Sequence, residues 1–333
     1  MKIFLKTIVL VLSVIIISCS SSTDLSESAG TLDNTFNSPE GYLEYKFPQS
    51  YANGCLDMAL QNNGQIIALQ VQDGSIGFSL VRFNSNGTMD ATFGNNGKVD
   101  YKVSNYDITI GVQIDIQSDD KILVCGTAFI SDNISDLFVI RFNSNGSIDQ
   151  SFGTNGVFLY SSPGSFEDYG RGIKLQPDGK ILVTGNVYNG FNNDLILMRI
   201  KSDGSFDDGF GNAGIVIFDG SSTSQDLGND IDVLPDYRIV VCGITTMNGK
   251  EEVLVLRYLA DGKVDPTFGD AGFVIYKPEG SKVATIANNI ELQPNGRINV
   301  VSTLLDGDNT SFVILRFKRS EERRVGKECR SRW

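Results

Sequence analysis

Carboxylates are the side chains of this sequence best suited to chemistry, because its 333 residues include no histidine. That composition removes Ser-His-Asp and Cys-His catalysis and imidazole metal sites. Two short segments bring acids together, one through Glu167 and Asp168, the other through Asp226 and Asp230. Paired carboxyl groups are the machinery of most glycoside hydrolases. A carboxylate hydrolase is therefore an alternative. Nothing distinguishes these acids from an acidic surface, and we expect no catalytic residue.

Oxygen-bearing residues also recur around one turn, in its first copy as Asn84, Asn86 and Asp90. Such a turn loosely resembles a calcium loop, but it lacks a bidentate glutamate at the right spacing. Asparagine, aspartate and glycine are also the residues that tight turns require. We therefore expect a structural turn, with no cofactor and no metal, and keep calcium as the alternative.

The turn belongs to a long repeat. The stretch RFNSNGTMDATFGNNG begins at Arg82 and returns in related form every 58 or 59 residues. A constant period indicates one supersecondary unit used repeatedly. We expect its aspartates to accept N–H bonds in their own loop, its phenylalanines to fill gaps between units, and its glycines to adopt positive φ. The signature residues are Asp90, Phe93, Gly94, Asp149, Phe152, Gly153, Asp207, Phe210, Gly211, Asp265, Phe268 and Gly269.

An arginine opens each signature stretch, directly after an apolar strand. The five are Arg82, Arg141, Arg199, Arg257 and Arg316. A ring of anion-binding arginines is one interpretation. Because the body of the chain holds more acids than bases, we favour pairing of each arginine with a carboxylate within or between units.

Each unit can be read as four strands. Residues 215–218 are expected to open a unit as a short strand, and a hairpin follows with its turn at Pro177-Asp178-Gly179 in the best-defined copy. The later strands are apolar at consecutive positions, which predicts cover on both faces. We therefore predict an all-β fold, a β-propeller of about five four-stranded blades or a truncated larger propeller. A β-solenoid is the structural alternative.

The motif L-x-R-(F/Y)-x-x-(D/N)-G-x-x-D-x-x-F-G-x-x-G, followed by L-Q-P-D-G-K-I-x-V-x-G, resembles the delta-60 repeat, a bacterial β-propeller repeat family of largely undefined function. The resemblance covers about residues 31–317 and implies no catalytic residues. The sequence departs from the pattern at TFNSPEG, which starts at Thr35, and at Tyr237, which replaces a turn glycine.

The N-terminal residues 1–18 have the form of a signal peptide. Ile16-Ile17-Ser18-Cys19 resembles the bacterial lipobox, and that resemblance implies acylation of Cys19. Residues 19–30 would then form a flexible tether, and the localisation would be the bacterial cell envelope, at the outer membrane or cell surface. A secreted protein with an incidental Cys19 is the alternative.

We expect the basic residues 318–333 to be a non-native tail, and a native basic tail is the alternative.

Charge limits the partners. The net charge is −12 although both ends of the chain are basic, which argues against nucleic acid. We predict a non-catalytic binding or scaffold module for a protein or other extracellular ligand. A glycan-binding propeller is an alternative, since 10% of the residues are aromatic.

The cysteines of the repeats are expected to be unpaired. Cys55, Cys125 and Cys242 take positions at which the other repeats have small residues, which predicts buried free thiols.

Overall fold

The computed structural model describes residues 31–45, 54–71, 77–131, 133–164, 166–247, 249–280, 283–307 and 309–318. The strands of these residues form five antiparallel sheets, arranged as the blades of a β-propeller. The predicted five-bladed all-β fold is therefore confirmed. The first four sheets have four strands each, and the fifth has three within the described residues. No helix in those ranges has the length and apolar character needed to cross a bilayer.

In chain order, the strands of blade one are β1 (Cys55–Leu60), β2 (Ile66–Val71), β3 (Phe78–Phe83) and β4 (Lys98–Tyr101). Those of blade two are β5 (Ile108–Ile116), β6 (Ile122–Ser131), β7 (Ile134–Phe142) and β8 (Val157–Tyr160). Those of blade three are β9 (Asp168–Leu175), β10 (Ile181–Tyr188), β11 (Asn193–Ile200) and β12 (Ile215–Phe218). Those of blade four are β13 (Asp226–Val233), β14 (Ile239–Thr245), β15 (Glu252–Tyr258) and β16 (Phe273–Tyr276). Those of blade five are β17 (Val283–Leu292), β18 (Ile298–Asp306) and β19 (Asn309–Phe317).

The position of β12 corrects the sequence interpretation. We predicted residues 215–218 as the opening strand of a unit, but β12 is the last strand of blade three and pairs with β11. The signature loop folds the chain back on itself, because Arg199 N donates to Gly214 O at 2.9 Å and Met198 pairs with Ile215. The signature therefore lies inside a blade and does not join two blades.

Consecutive apolar residues of the third strands bury both faces of their blade, as predicted. In β7, Leu137 and Val139 belong to the core cluster shared with blade three, whereas Phe138 and Ile140 belong to the cluster shared with blade one. All four are fully buried. Apolar contact on both sides of each central blade is the main force that joins the blades.

Beside that core, the signature arginine, aspartate and phenylalanine of a blade contact one another, and this cluster is called here the polar lock. In blade two, Arg141 Nε donates to Asp149 Oδ2 at 2.8 Å, and the guanidinium lies 4.7 Å from the ring centre of Phe152. Arg141 Nη1 also donates to the carbonyl of Ser202, in blade three. Ser151 N donates to the other carboxylate oxygen of Asp149 at 3.1 Å. One arginine thus connects its own signature loop to the next blade.

The lock recurs in the first four blades. The arginine–aspartate pairs are Arg82 with Asp90, Arg141 with Asp149, Arg199 with Asp207, and Arg257 with Asp265. The same arginines lie over Phe93, Phe152, Phe210 and Phe268. The glycine after each of these phenylalanines has positive φ. Arg316, in blade five, instead donates to Asn299 Oδ1 at 2.9 Å. These guanidinium groups are therefore used within the fold, and a ring of anion-binding arginines is not what they form.

Residues 31–45 repeat the second half of a signature and cover part of blade one. Asn37 has φ 43°, close to the φ of 53° at Gly94, and Asn37 N donates to Asn86 O at 2.7 Å. Gly94 N makes the same bond to Asn145 O of blade two, at 2.9 Å. The departure near Thr35 is therefore a signature loop in which Asn37 takes the place of the glycine. Asparagine tolerates positive φ better than most other non-glycine residues.

Blades one and five differ from the central blades in their exposure. Phe312 and Ile314 of β19 are 72% and 63% exposed, whereas their counterparts in β7, Leu137 and Val139, are fully buried. Cys55 in β1 is exposed, in contrast to our expectation of a buried thiol, while Cys125 and Cys242 are buried free thiols. The difference follows from position, since Cys55 lies in the first blade and the other two lie in central blades.

One blade has an incomplete lock, which gives a stability prediction. Thr92, Ser151 and Thr267 each bond the signature aspartate through their hydroxyl, but blade three has Gly209 there. A β-carbon at Gly209 would meet nothing closer than 3.6 Å. We expect Gly209→Thr to raise the free energy of unfolding by about 1 kcal/mol, through one added hydrogen bond and a less flexible unfolded chain. Urea unfolding measures it, with Asp208→Ala as the control, and an unchanged or lower stability would contradict the account of the lock.

Candidate functional site

The antiparallel order of each blade gives the propeller two ends. The turns between first and second strands and the signature loops lie at one end, called here the signature end. The loops between second and third strands lie at the other, with the connections between blades, and this is called the loop end. The signature end is occupied by the polar lock. The loop end carries further buried acids.

Acid pairs lie at the loop end where two blades meet. One acid precedes the third strand's arginine by five residues, and the other begins the first strand of the next blade. The pair between blades two and three is Asp136 and Asp168, and the pair between blades three and four is Asp194 and Asp226. All four are buried, with Asp168 and Asp226 at 0% exposure. Buried carboxyl groups that face each other are costly unless they are protonated or paired with a cation.

At blades two and three, the carboxyl group of Asp168 accepts a hydrogen bond from Ser162 N on Oδ2, at 2.5 Å, while its Oδ1 has no partner. Asp136 accepts a hydrogen bond from the Tyr106 hydroxyl on Oδ2, and its Oδ1 also has no partner. Burial raises the pKa of Asp168 to about 6, and the negative charge of Asp136 acts in the same direction. Asp168 therefore keeps its proton to a higher pH than an ordinary aspartate does.

At blades three and four the pair has a third acid beside it. Asp226 Oδ2 accepts hydrogen bonds from Gly220 N at 2.8 Å and from Ser224 Oγ at 2.7 Å. Asp194 accepts from two asparagine side chains, Asn189 and Asn192, at 2.9 and 3.1 Å. Asp219 is exposed, and one carboxylate oxygen from each of Asp194, Asp219 and Asp226 lies within 4.8 Å of the other two. Burial raises the pKa of Asp194, and the charges of Asp219 and Asp226 raise it further.

The same asparagines fix an exposed aromatic side chain. Asn189 Oδ1 accepts from Phe191 N at 2.9 Å and from Asn192 N at 3.1 Å, and Asn192 Nδ2 donates to Ser224 O at 2.6 Å, in the connection to blade four. The ring of Phe191 is nevertheless 86% exposed. A loop held by this many hydrogen bonds presents Phe191 to solvent in a defined place.

Near the propeller axis, acids connect neighbouring inner strands. Asp57 Oδ2 accepts from Ile114 N of the next blade at 2.8 Å, and Asp230 Oδ2 accepts from Ile290 N at 2.9 Å. Gln113 reaches across to Asp230 Oδ1 at 2.9 Å. Burial raises the pKa of Asp57 and of Asp230 to about 6. These acids hold the backbone of the neighbouring blade, and that role explains why acids are buried there.

The acids of the two segments considered for a hydrolase have separate partners. Glu167 accepts from the Tyr169 hydroxyl at 3.2 Å, whereas Asp168 accepts from Ser162 N. Asp226 lies at the loop end of β13, and Asp230, on the same strand, bonds to Gln113 and to blade five. The structure instead pairs Asp168 with Asp136, and Asp226 with Asp194.

The turn considered for calcium uses its oxygens internally. Asn86 Oδ1 accepts from Thr88 N at 3.1 Å and from Thr88 Oγ1 at 2.7 Å. Asn84 donates to Thr88, and Asp90 is bonded to Arg82. The turn interpretation therefore accounts for these residues without a cation.

Sequence reasoning overlooked Asp194, Asp219 and Phe191. The first two are 25 residues apart and form no recognisable motif. A comparison of equivalent repeat positions would have found them, because Asp219 stands where blades one and four have Lys102 and Lys277. For Phe191 the sequence carries no signal, since an aromatic residue between asparagines is equally compatible with burial.

The raised pKa of Asp168 gives a pH prediction. A carboxyl whose folded pKa is about 6, above its ordinary 3.8, stabilises the fold most at low pH, and that stability is lost as the pH rises through 6. Asp168→Asn removes the buried charge and with it the repulsion from Asp136. We expect this variant to be more stable than wild type by about 1–2 kcal/mol at pH 7.5 and to lose less stability between pH 4.5 and 7.5. Unfolding curves at both pH values test it, with Asp178→Asn, in an exposed turn, as the control. An unchanged pH profile would be contrary to this assignment.

Four stretches of the chain, residues 61–93, 117–152, 176–210 and 234–268, match a family described as "Domain of unknown function (DUF5122) beta-propeller". Each stretch runs from the first turn of a blade to its signature phenylalanine. The match thus covers the parts of blades one to four that carry the polar lock.

Several solved structures are similar in fold. A protein of unknown function from Dyadobacter fermentans is 13% identical, covers 79% of this chain and 82% of its own, and gives a TM-score of 0.46. An aldose sugar dehydrogenase from Streptomyces coelicolor, in its PQQ-bound form, is 12% identical with 80% of each chain covered and a TM-score of 0.46. An α-L-arabinofuranosidase from Lactobacillus brevis is 9% identical, with 79% and 89% covered and a TM-score of 0.45. No curated protein matches the sequence. Similarity at this level concerns the fold and transfers no activity.

Proposed function

We propose that this five-bladed propeller, with its four DUF5122 matches, is a non-catalytic binding module that engages a protein partner through its loop end. The exposure of Phe191 carries the proposal. An aromatic ring that is 86% exposed on a hydrogen-bonded loop loses little conformational freedom when a partner covers it. Aromatic side chains of this kind dominate the energy of many protein interfaces.

The roles of the other polar residues support a binding function over a catalytic one. The signature acids are bonded to arginine, and the axial acids Asp57 and Asp230 are bonded to backbone N–H groups of the next blade. Groups held in this way stabilise the blades and are not free to transfer protons to a substrate. At the loop end, the exposed Phe191 ring supports recognition.

Site-specific photo-cross-linking tests the proposal. A benzophenone side chain at position 191 should give discrete cross-linked protein species when the protein is expressed in a bacterial envelope. The matched control is position 130, where Ile130 is 44% exposed at the loop end of blade two. If position 191 gives no species beyond those of position 130, the loop of Phe191 is not a protein-binding surface. A positive glycan array that is lost in Phe191→Ser would favour the glycan-binding alternative, with the ring stacking on a sugar.

The proposal includes an address at the cell envelope, at the outer membrane or cell surface. The lipobox-like segment and Cys19 lie outside the described residues, as do the tether 19–30 and residues 319–333 of the basic tail. The sequence pattern alone supports acylation of Cys19 and the assignment of the repeats to the delta-60 family. Cys19→Ser should move the protein from the membrane fraction to the soluble fraction and abolish labelling by palmitate. Retention of both properties in the variant would refute the lipid anchor.

A further inference from the structure

The residue that directly follows the outer strand differs in charge between blades. It is Lys102 in blade one, Ser161 in blade two, Asp219 in blade three and Lys277 in blade four. In blade four, Lys277 Nζ lies 4.0 Å from Glu252 Oε1. Glu252 holds the repeat position that Asp194 holds in blade three. The fold therefore places a positive charge beside this carboxylate in one blade and a negative charge in another.

Three carboxylates converge where the lysine is replaced. Oxygen atoms of Asp194, Asp219 and Asp226 lie within 4.8 Å of one another, and Asp194 and Asp226 are buried. Among the described residues, no lysine or arginine forms an ion pair with any of the three. Burying like charges without compensation is strongly unfavourable, so this pocket has a charge that the protein does not balance.

An unpartnered oxygen points into the same pocket. Asp226 is 0% exposed, its Oδ2 accepts both available donors, and its Oδ1 has no partner. A β-carbon placed on Gly220 would lie 3.1 Å from that Oδ1, so the oxygen faces the segment that carries Asp219. A buried acceptor in this state costs free energy until it gains a partner. The Met247 side chain also lies against Gly220, with its Cγ and Sδ 2.7 and 2.8 Å from the same β-carbon position, but a thioether has no hydrogen to donate to this acceptor.

We infer that Asp194, Asp219 and Asp226 bind a hard divalent cation, and that calcium is the ion that fits them best. The donors are all oxygen, which hard cations prefer, and calcium accepts irregular arrangements of six to eight ligands, some of them water. The exposure of Asp219 gives water and the ion access to the pocket. Ser224, Asn189 and Asn192 orient the buried carboxylates, as outer-shell residues do around metal sites. This inference does not depend on the proposed binding function.

Calorimetric titration of chelator-treated protein with calcium chloride at pH 7.5 tests the site. Wild type should bind one calcium ion per chain at this pocket and unfold at a higher temperature in calcium than in chelator. Asp219→Ser, which installs the residue that blade two has, should weaken binding at least tenfold. Asp219→Lys, which installs the residue of blade four, should abolish calcium binding, and its unfolding temperature should be the same with and without calcium.

Asp208→Ser is the matched control, because Asp208 is an exposed acid of the same blade at the signature end. It should bind calcium as wild type does. The proposal is overturned if wild type binds no calcium and shows no thermal shift, since the carboxyl groups are then neutralised by protons. It is equally overturned if calcium binds but Asp219→Ser and Asp219→Lys leave the affinity unchanged. Asp219 is exposed, so neither substitution should prevent folding.

Discussion

Replacing Asp149 with alanine is expected to lower the free energy of unfolding by about 3–5 kcal/mol, the usual result of leaving a buried charge without its partner. Arg141 is 5% exposed and Asp149 is 7% exposed, so solvent cannot take the place of the carboxylate. Burial opposes ionisation of Asp149, but hydrogen bonds from Ser151 and Lys121 and the charge of Arg141 outweigh it and hold its pKa well below the usual range. Urea unfolding at pH 7 measures the loss.

The depressed pKa of Asp149 adds a pH criterion. Stability from a carboxyl with a lowered folded pKa is present above its ordinary value and disappears as the pH falls through the folded value. The difference between wild type and Asp149→Ala should therefore shrink in strong acid. Asp119→Ala is the control, since Asp119 also pairs with Lys121, at 3.4 Å, but is 56% exposed. A loss at Asp149 no larger than the loss at Asp119 would show that the lock does not stabilise the fold.

Replacing Phe210 with alanine is expected to cost about 3–5 kcal/mol of stability, as for other large core truncations. Phe210 is 0% exposed, contributes to the core between blades three and four, and lies 4.4 Å from the guanidinium carbon of Arg199. Its loss removes apolar contacts from the interface and leaves a cavity beside a buried arginine. Thermal or urea unfolding of the purified variant gives the value.

Phe191→Ala is the matched control, because it removes the same ring from a site that is 86% exposed. Its stability should remain within about 0.5 kcal/mol of wild type, as for most surface substitutions. A similar loss for both variants would argue against the burial assigned to the signature phenylalanines. The pair also separates the two roles given to aromatic residues here, since only Phe191→Ala should affect binding at the loop end.

The period of the sequence predicted the fold, because a blade is a local unit that each repeat encodes in full. The order of strands within a blade was harder to predict from the sequence. Residues 215–218 read equally well as the end of one unit or the start of the next. The choice is settled by the signature loop, which returns the chain beside β11 through the bond from Arg199 N to Gly214 O. Sequence patterns give the turn residues but not the direction in which the chain leaves a turn of this length.

The acid pockets could not be predicted from the sequence for a different reason. Asp194 and Asp226 come from different blades and meet only because blades three and four pack together. Their neighbours in the chain are ordinary strand and loop residues, so no local pattern distinguishes them from surface acids. The catalytic pairs considered from sequence, such as Asp226 with Asp230, were close in the chain but lie at different places on one strand. Proximity along a strand was a poor guide to proximity between side chains.

Amide hydrogen exchange of Asp149→Ala under native conditions tests most directly whether the signature joins the blades. Arg141 bonds Asp149 within blade two and Ser202 O in blade three. The account therefore predicts faster exchange in β10 and β11 as well as in β6 and β7, with Asp119→Ala indistinguishable from wild type. Faster exchange confined to residues 143–156, with the strands of both blades unchanged, would contradict it and reduce the signature to a set of independent turns.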